Sequence, residues 1–200
     1  MSKLPARTRL SPDDRRAQLL QHAIAAFAEH GIARATHAHV AARAGVSVSA
    51  AYAYFRTRPA LVTAVLDAVA AQIAAMVADS LNGPQAPLPT LVRLATSTAD
   101  MAATSPDTVR VWLDWSTGVR SDGWPQFLAL QQALQQQVAV VLRAAAPGRP
   151  TADIQSAARL FVGCAHTLAL MRFEDVDADA RARFISQMVG GVLAVLGAVG

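Results

Sequence analysis

Residues 36–58 combine the side chains and the spacing that suit recognition of a nucleic acid. A Gly-Val-Ser turn at residues 45–47 separates two short segments, each long enough for about two helical turns. Glycine tolerates the positive φ of a tight turn, and a serine hydroxyl can cap the helix that follows it. Hydroxyl, aromatic and guanidinium groups come next, ending in Arg56 and Arg58. Hydroxyls suit base edges and arginines suit phosphates, so the expected chemistry is noncovalent binding to a polyanion.

Two short helices joined by such a turn form a helix-turn-helix, whose second helix enters the major groove of double-stranded DNA. The outer face of that helix would meet base edges, and the flanking arginines would meet phosphates. A basic N-terminal arm that holds Arg7 and Arg9 would enter the neighbouring minor groove. The predicted DNA-contacting residues are Arg7, Arg9, Thr36, Ser47, Val48, Ser49, Ala50, Tyr52, Ala53, Tyr54, Arg56 and Arg58. The alternative is an ordinary helical corner whose arginines are solvated.

The charge of the chain is distributed unevenly. Residues 1–58 carry nine Lys and Arg against three Asp and Glu, whereas residues 59–200 carry nine against eleven. A basic end on a mildly acidic remainder favours a polyanionic partner at that end. On charge alone, a solvated surface without a partner explains the pattern equally well, and only the turn with its two helices favours DNA.

Helix signals recur along the chain, and no alternating β-branched run is long enough for a strand. Ser11 precedes Pro12, which is an N-cap followed by a proline at the first helical position, and Gly31 would end that helix. Proline-rich breaks follow at residues 82–89 and 147–150. The predicted helices are residues 12–31, 36–44, 48–55, 59–80, 90–103, 106–119, 125–146, 151–172 and 179–199. The expected fold is all-α, with about nine helices.

Two domains are expected from this organisation. Residues 1–58 would hold the basic arm and a three-helix DNA-binding domain, and residues 59–200 would form a helical domain for ligand binding and dimerisation. Apolar stripes follow the last two predicted helices, about 151–172 and 179–199. These stripes would be core only, or they would pair with a second copy. We favour the homodimer, because a helix-turn-helix dimer reads two half-sites roughly 34–36 Å apart.

The same residues carry a family resemblance. Residues 36–61, with Val40-Ala41, Ala44-Gly45-Val46-Ser47 and Tyr52-Ala53-Tyr54-Phe55 in register, resemble the N-terminal signature of the TetR family of regulators. The chain also resembles the LuxR/HapR/SmcR quorum-sensing master regulators of vibrios within that family. That likeness rests on residues 9–12, on residues 46–58, and on Val-Trp-Leu-Asp-Trp-Ser at residues 111–116 followed by Trp124-Pro125.

The resemblance implies a homodimer that binds a pseudo-palindromic operator, with the last two helices of each subunit at the interface. It also implies a ligand pocket in the C-terminal domain. The chain departs from the vibrio group at Ala53, where those proteins usually have Asn, and at Ala50, where they often have Thr. Operator preference and a quorum-sensing role are therefore not carried over.

The implied pocket would receive a small apolar or aromatic effector. Its predicted lining residues are Ile73, Met76, Val77, Trp112, Trp115, Gln131, Leu134 and Cys164. Gln131 would supply the hydrogen bond, and Ile73 replaces an aromatic residue of the vibrio group, which would enlarge the cavity. The alternative is that the tryptophans, three residues apart on one helical face, are core only.

Nothing in the sequence predicts a catalytic site, a cofactor or a metal centre. His37 and His39 are two residues apart, as are Cys164 and His166, so each pair would point to different sides of a helix. Asp114 is expected to form a salt bridge with an arginine, either Arg110 or Arg93.

The composition favours a cytoplasmic location. The chain holds one cysteine, and its N-terminus has no apolar stretch of the kind a secretory signal requires. No membrane span is expected, because every long apolar run is interrupted by a charge or a turn signal.

Three functions are open at this point. The chain would be a repressor released by a ligand, a regulator with an unused pocket that is controlled by its own concentration, or a helical small-molecule binding protein with a degenerate DNA-binding head.

Overall fold

The computed structural model describes residues 11–83 and 86–198, and within these residues the chain forms nine α-helices. They are α1 (Pro12–His30), α2 (His37–Ala44), α3 (Val48–Tyr54), α4 (Arg58–Leu81), α5 (Pro87–Thr104), α6 (Pro106–Thr117), α7 (Trp124–Ala145), α8 (Thr151–Phe173) and α9 (Ala178–Val195). The expectation of an all-α fold with about nine helices is confirmed.

Polar N-caps fix where several helices begin. The side chains of Ser11, Thr36, Ser47 and Thr57 each accept a hydrogen bond from the backbone N–H three residues later. Asp177 does the same for α9. Each cap satisfies one of the backbone donors that a helix leaves open at its start, so these short polar residues set the register of the first four helices.

Two predicted boundaries differ from the structure by three residues or more. Helix α5 begins at Pro87 rather than at residue 90, because prolines are tolerated in the first turn, where the backbone N–H has no partner inside the helix. Helix α9 ends at Val195 rather than at residue 199. Gly197 follows with a φ of 63°, a left-handed conformation that stops a helix.

Helix α4 joins the two ends of the molecule. It packs on α1 in the N-terminal part and on α5, α6 and α7 in the rest of the molecule. Helices α1, α2 and α3 pack together at one end, where α1 also lies along α6, and α5, α7, α8 and α9 form a bundle at the other. We call α1, α2 and α3 the head, and α5, α7, α8 and α9 the bundle. The buried apolar side chains make one continuous cluster from Leu19 to Leu196, so the head and the bundle share a core.

Helix α4 is also long and apolar enough to cross a membrane, with a mean hydropathy of 2.0 over its most apolar 18 residues. The core helix of a globular protein can reach the same value. Leu61, Val65, Leu66 and Val69 of this helix are all 1 % exposed or less. We therefore assign α4 to the protein core.

Candidate nucleic-acid interface and ligand cavity

The turn between α2 and α3 has the geometry of a helix-turn-helix. Gly45 adopts φ 64° and ψ 36°, the left-handed conformation that a side chain would strain. The next residue closes the turn, since the N–H of Val46 donates to the carbonyl of Ala41 at 3.0 Å. Ser47 then caps α3 by accepting from the N–H of Ala50 at 3.2 Å. The sequence Gly-Val-Ser thus ends one helix and begins the next within three residues.

Helix α3 presents one face to the core and the other to solvent. Ala51 is fully buried, and Phe55, which ends the helix, is 2 % exposed. On the other side, Val48 and Tyr52 are 43 % and 48 % exposed. The remaining predicted base-reading residues divide in the same way: Ser47, Ser49 and Ala53 are exposed, and Ala50 is half-buried. The outer face is open along the whole of this short helix.

Tyr52 is held by a histidine that the sequence analysis did not select as a positioning residue. The rings of Tyr52 and His37 are stacked, with centroids 3.9 Å apart and planes 10° apart. The Nε2 atom of His37 lies 2.6 Å from the carbonyl oxygen of Phe55 and donates to it, because a carbonyl can only accept. His37 therefore links the start of α2 to the end of α3 and fixes the plane of the exposed tyrosine. Tyr54 is half-buried against the core.

The two arginines after α3 differ in their surroundings. Arg56 is exposed. Arg58 donates through Nε to the carbonyl of Ala35 at 3.2 Å, and one terminal nitrogen donates to the carbonyls of Ile32 and Ala33 at 2.7 Å and 2.6 Å. Arg58 thus uses its donors inside the head, which gives it a bracing role that the sequence analysis missed.

Thr36, the remaining predicted DNA contact in the head, is half-buried and caps α2. The predicted arm residues Arg7 and Arg9 lie outside the described residues.

The head is tied to the bundle by Asp114 on α6. Its carboxylate accepts a hydrogen bond from the backbone N–H of Ile32, in the loop after α1, at 2.7 Å. The predicted salt bridges of Asp114 were wrong, because Arg110 pairs instead with Asp107 at 3.2 Å and Arg93 donates to the carbonyl of Ser80 at 2.7 Å. The carboxylate of Asp114 thus accepts a backbone hydrogen bond instead of pairing with a cationic side chain.

A small cavity lies between α4, α5, α6, α7 and α8. Its volume is about 40 Å³, which is close to the space that one water occupies in the liquid. The residues around it are Ile73, Met76, Val77, Leu94, Thr98, Met101, Val109, Trp112, Leu134, Val138, Phe161, Val162 and Ala165. The lining is almost entirely apolar.

Five of the eight predicted pocket residues line this cavity, and three do not. Trp115 is 1 % exposed, and its indole N–H donates to the carbonyl of Gly123 at 2.9 Å. Gln131 is half-buried on α7 but does not line the cavity, so it does not supply the hydrogen bond expected of it. On α8 the cavity is lined by Ala165 rather than by Cys164. Burial raises the pKa of the Cys164 thiol.

Two polar atoms near the cavity have no hydrogen-bond partner. They are the indole Nε1 of Trp112 and the Nε2 of His166, both shielded from solvent. The rings that carry them lie 4.1 Å apart and tilt by 35°. Burial lowers the pKa of His166, and a hydrogen bond to the backbone of Val162 opposes that shift. Trp112 was predicted to line this pocket, and His166 was not.

Over residues 11–83 and 86–198, no cluster of three or more His, Cys, Asp or Glu side chains is arranged to hold a metal ion.

Comparison with known proteins identifies the head. The family described as bacterial regulatory proteins, tetR family, matches residues 19–65, which include α2, the turn and α3. The HTH-type transcriptional regulator LuxR of Vibrio harveyi is 33 % identical over 129 residues. Residues 19–65 of this chain therefore carry the TetR-family domain. The LuxR alignment covers 64 % of the chain and 63 % of the length of that regulator, which confirms the resemblance noted in the sequence.

Solved structures of TetR-family regulators share the fold over nearly the whole chain. A TetR-like transcriptional regulator from Rhodococcus sp. RHA1 has a TM-score of 0.78 at 18 % identity, covering 93 % of this chain and 99 % of that one. A TetR-family transcriptional regulator from Streptomyces coelicolor has a TM-score of 0.72 at 22 % identity, covering 92 % and 90 % of the two chains. At these identities the likeness concerns the fold alone.

Proposed function

We propose that this protein is a cytoplasmic transcriptional regulator that binds a pseudo-palindromic operator as a homodimer, acts as a repressor, and is released by a small apolar ligand. The two-domain division at residues 58 and 59 belongs to this proposal. The main observation in its favour is the open outer face of α3, which carries Ser47, Ser49 and Tyr52 and stands on a left-handed turn at Gly45. A single helix of this kind fits the major groove.

Base reading would rest on few groups. The hydroxyls of Ser47 and Ser49 lie 3.0 Å apart, and the hydroxyl of Tyr52 sits on a ring fixed by His37. Ala53 offers only a methyl group, which suits contact with the methyl group of thymine. We therefore expect phosphate contacts and DNA shape to contribute more than base-specific hydrogen bonds.

The homodimer would form through exposed faces of α8 and α9. Leu160 and Leu170 are 49 % and 45 % exposed, and they lie on one face of α8 with the exposed Gly163 and Thr167 between them. Val195 of α9 is 63 % exposed. Other apolar residues within 151–172 and 179–199 are buried inside the protomer and belong to its core: Phe161, Leu168, Ile185, Met188, Val189, Val192, Leu193 and Leu196.

Ligand release would use α6, because this helix touches both regions. Trp112 of α6 lines the cavity, and Asp114 of the same helix holds the loop at Ile32 in the head. A ligand that moved α6 would alter that hydrogen bond and the position of α3. Release requires tighter ligand binding to the non-binding arrangement of the heads.

Selection of duplexes from a random DNA library tests the DNA-binding part. We expect enrichment of sequences with two half-sites spaced by about one helical turn or a multiple of it, and a steep loss of affinity with salt. Arg56→Ala should weaken binding to all enriched sequences and reduce the salt slope by about one for each phosphate that the arginine neutralises. Failure to enrich any duplex, or binding that ignores salt, would refute the proposal.

Arg143→Ala is the matched control for Arg56→Ala. It removes the same exposed charge near the end of α7, about 28 Å along that helix from its start beside the head. DNA affinity of this variant should equal that of the wild type. An equal reduction of affinity in both variants would indicate a general charge effect instead of a specific role for α3 and its flank.

The size of the cavity favours a second candidate function. A volume of about 40 Å³ is far below the roughly 300–1,000 Å³ of typical ligand pockets. A regulator with this cavity would be controlled by its own concentration and not by a ligand. Titration of the DNA complex with apolar effectors distinguishes the two, because only the ligand-controlled protein leaves the operator.

A further inference from the structure

Two unpartnered polar atoms lie beside the apolar cavity, one on Trp112, which lines it, and one on His166, whose ring packs on Trp112. Trp112 lines the cavity and is 5 % exposed, and its Nε1 donor has no partner. His166 lies one residue beyond Ala165 and one turn beyond Val162, which both line the cavity. Leaving a buried polar group without a hydrogen bond costs about 1–3 kcal/mol, so this pair of atoms calls for a partner.

The two unpartnered atoms have opposite hydrogen-bonding roles. The indole N–H of Trp112 can only donate. The other ring nitrogen of His166 bonds to the backbone of Val162, where a carbonyl can only accept, so that nitrogen carries the proton. The Nε2 atom of neutral His166 is therefore an acceptor. A group that fits both atoms must accept one hydrogen bond and donate another.

The chemistry of the lining narrows the ligand further. Twelve of the thirteen lining residues are apolar, and the exception, Thr98, already donates to the carbonyl of Leu94 at 2.9 Å. No Lys or Arg lines the cavity, so a carboxylate would have no full countercharge there. Met76 and Met101, both in the lining, are unbranched and can change rotamer to admit a ligand larger than the present volume.

We propose that the cavity binds an apolar molecule that carries one hydroxyl group, which accepts a hydrogen bond from Nε1 of Trp112 and donates one to Nε2 of His166. This inference rests on the ligand-controlled form of the proposed function. In this proposal Trp112 and His166, and not the predicted Gln131, form the hydrogen bonds to the ligand. It also names the ligand class as alcohols or phenols, which should bind in preference to plain hydrocarbons and carboxylates.

Phenol and toluene test the proposal, because they differ only by a hydroxyl in place of a methyl group. Binding to the full chain is measured by calorimetry at pH 7.5, with anisole as a probe that accepts but cannot donate. We expect phenol to bind at least about fivefold more tightly than toluene, since two net hydrogen bonds supply that factor or more. Anisole should fall between them. Equal or tighter binding of toluene would overturn the proposal.

Two variants assign the preference to its residues. His166→Phe keeps a ring of similar shape and removes the acceptor, so phenol should lose its advantage over anisole. Trp112→Phe removes the donor, so anisole should lose its advantage over toluene. If both variants keep the wild-type ratios, the site is wrong.

The measurement needs no DNA, so it separates this proposal from the proposed function. Operator binding with no preference for phenol over toluene rejects the hydroxyl site alone. A clear preference with no enriched duplex supports the site and rejects the regulator.

Discussion

The carboxylate of Asp114 accepts a 2.7 Å hydrogen bond from the backbone N–H of Ile32, and the carbonyl of Ile32 accepts another from Arg58 at 2.7 Å. The backbone N–H of Ile32 is therefore bonded to α6, and its backbone carbonyl is bonded to the first residue of α4. This arrangement fixes the loop between α1 and α2 relative to α6. Each hydrogen bond is to the main chain, so neither depends on the side chain at position 32.

Asp114→Ala should lower the free energy of unfolding by about 1–2 kcal/mol, because the N–H of Ile32 loses a charged acceptor. Urea denaturation measures the change. Asp114→Asn should recover most of the stability, since its amide oxygen can accept the same bond. Asp107→Ala breaks only a surface ion pair with Arg110 and should cost less than about 0.5 kcal/mol. An equal effect of the two alanine variants would contradict the role of Asp114.

Arg58→Ala should destabilise the protein by about 1–3 kcal/mol, because three backbone carbonyls lose their donor. Thermal unfolding followed by circular dichroism measures this. Arg58→Lys should not restore stability, since an ammonium cannot reproduce the planar set of donors. Arg56→Ala, which removes an exposed guanidinium, should leave stability within about 0.5 kcal/mol. An Arg58→Ala variant as stable as the wild type would contradict the bracing role and leave only the predicted phosphate contact.

Gly123→Ala should destabilise the protein by about 1–3 kcal/mol through overpacking. A Cβ at this position would lie 2.7 Å from Cδ1 of Leu66 and 3.3 Å from Nε1 of Trp115. Leu66 is 1 % exposed and has little room to move. Gly148→Ala is the control, because no atom lies within 4 Å of its added Cβ. Comparable unfolding curves for the two variants would show that the loop between α6 and α7 shifts to accommodate the added methyl group.

Leu160→Arg should shift the proposed homodimer towards monomer, because it places a charge in the exposed apolar face of α8. Size-exclusion chromatography with light scattering measures the mass. Val119→Arg is the control, since Val119 is 59 % exposed and lies between α6 and α7, next to Arg120, which faces the head near Ile32. A Leu160→Arg protein that stays dimeric, or a wild type that is monomeric, would exclude this interface.

His166 should make stability depend on pH. Burial lowers its pKa from the ordinary 6.5 in the folded protein, so the unfolded chain binds a proton more readily than the folded one. The contribution of His166 to the free energy of unfolding is complete above about pH 6.5. It is lost as the pH falls towards the lower pKa that His166 has in the folded protein. Neither His166→Phe nor His166→Gln can titrate, so the fall in unfolding free energy between pH 7.5 and 5.5 should be smaller in both. An unchanged slope would contradict this assignment.

The local structure was largely predictable from the sequence, because its signals are carried by neighbouring residues. Ser11, Thr36, Ser47 and Thr57 cap the helices that each precedes, and Gly45 forms the turn that its lack of a side chain allows. The start of α5 was predicted three residues too late, because proline occurs both in loops and in the first turn of a helix, and Pro87 fits either.

The interactions that complete the site join residues far apart in sequence. Asp114 meets Ile32 across 82 positions, and no local pattern distinguishes that partner from a nearby arginine. His37 and Tyr52 stack only because the turn folds α2 against α3. The partition of α8 and α9 between core and surface was also unpredictable, since both faces carry apolar residues at helical spacing.

The outer face of α3 has a consequence for how such a protein diversifies. Ser49 and Ala53 are exposed, while the neighbouring Ala51 and Phe55 carry the packing of the helix. If α3 reads the operator as proposed, selection on operator choice and selection on folding act on different positions of the same short helix. Substitution at residues 49 and 53 would then change specificity at little cost in stability, which makes these two positions the starting point for redirecting the protein to a chosen promoter.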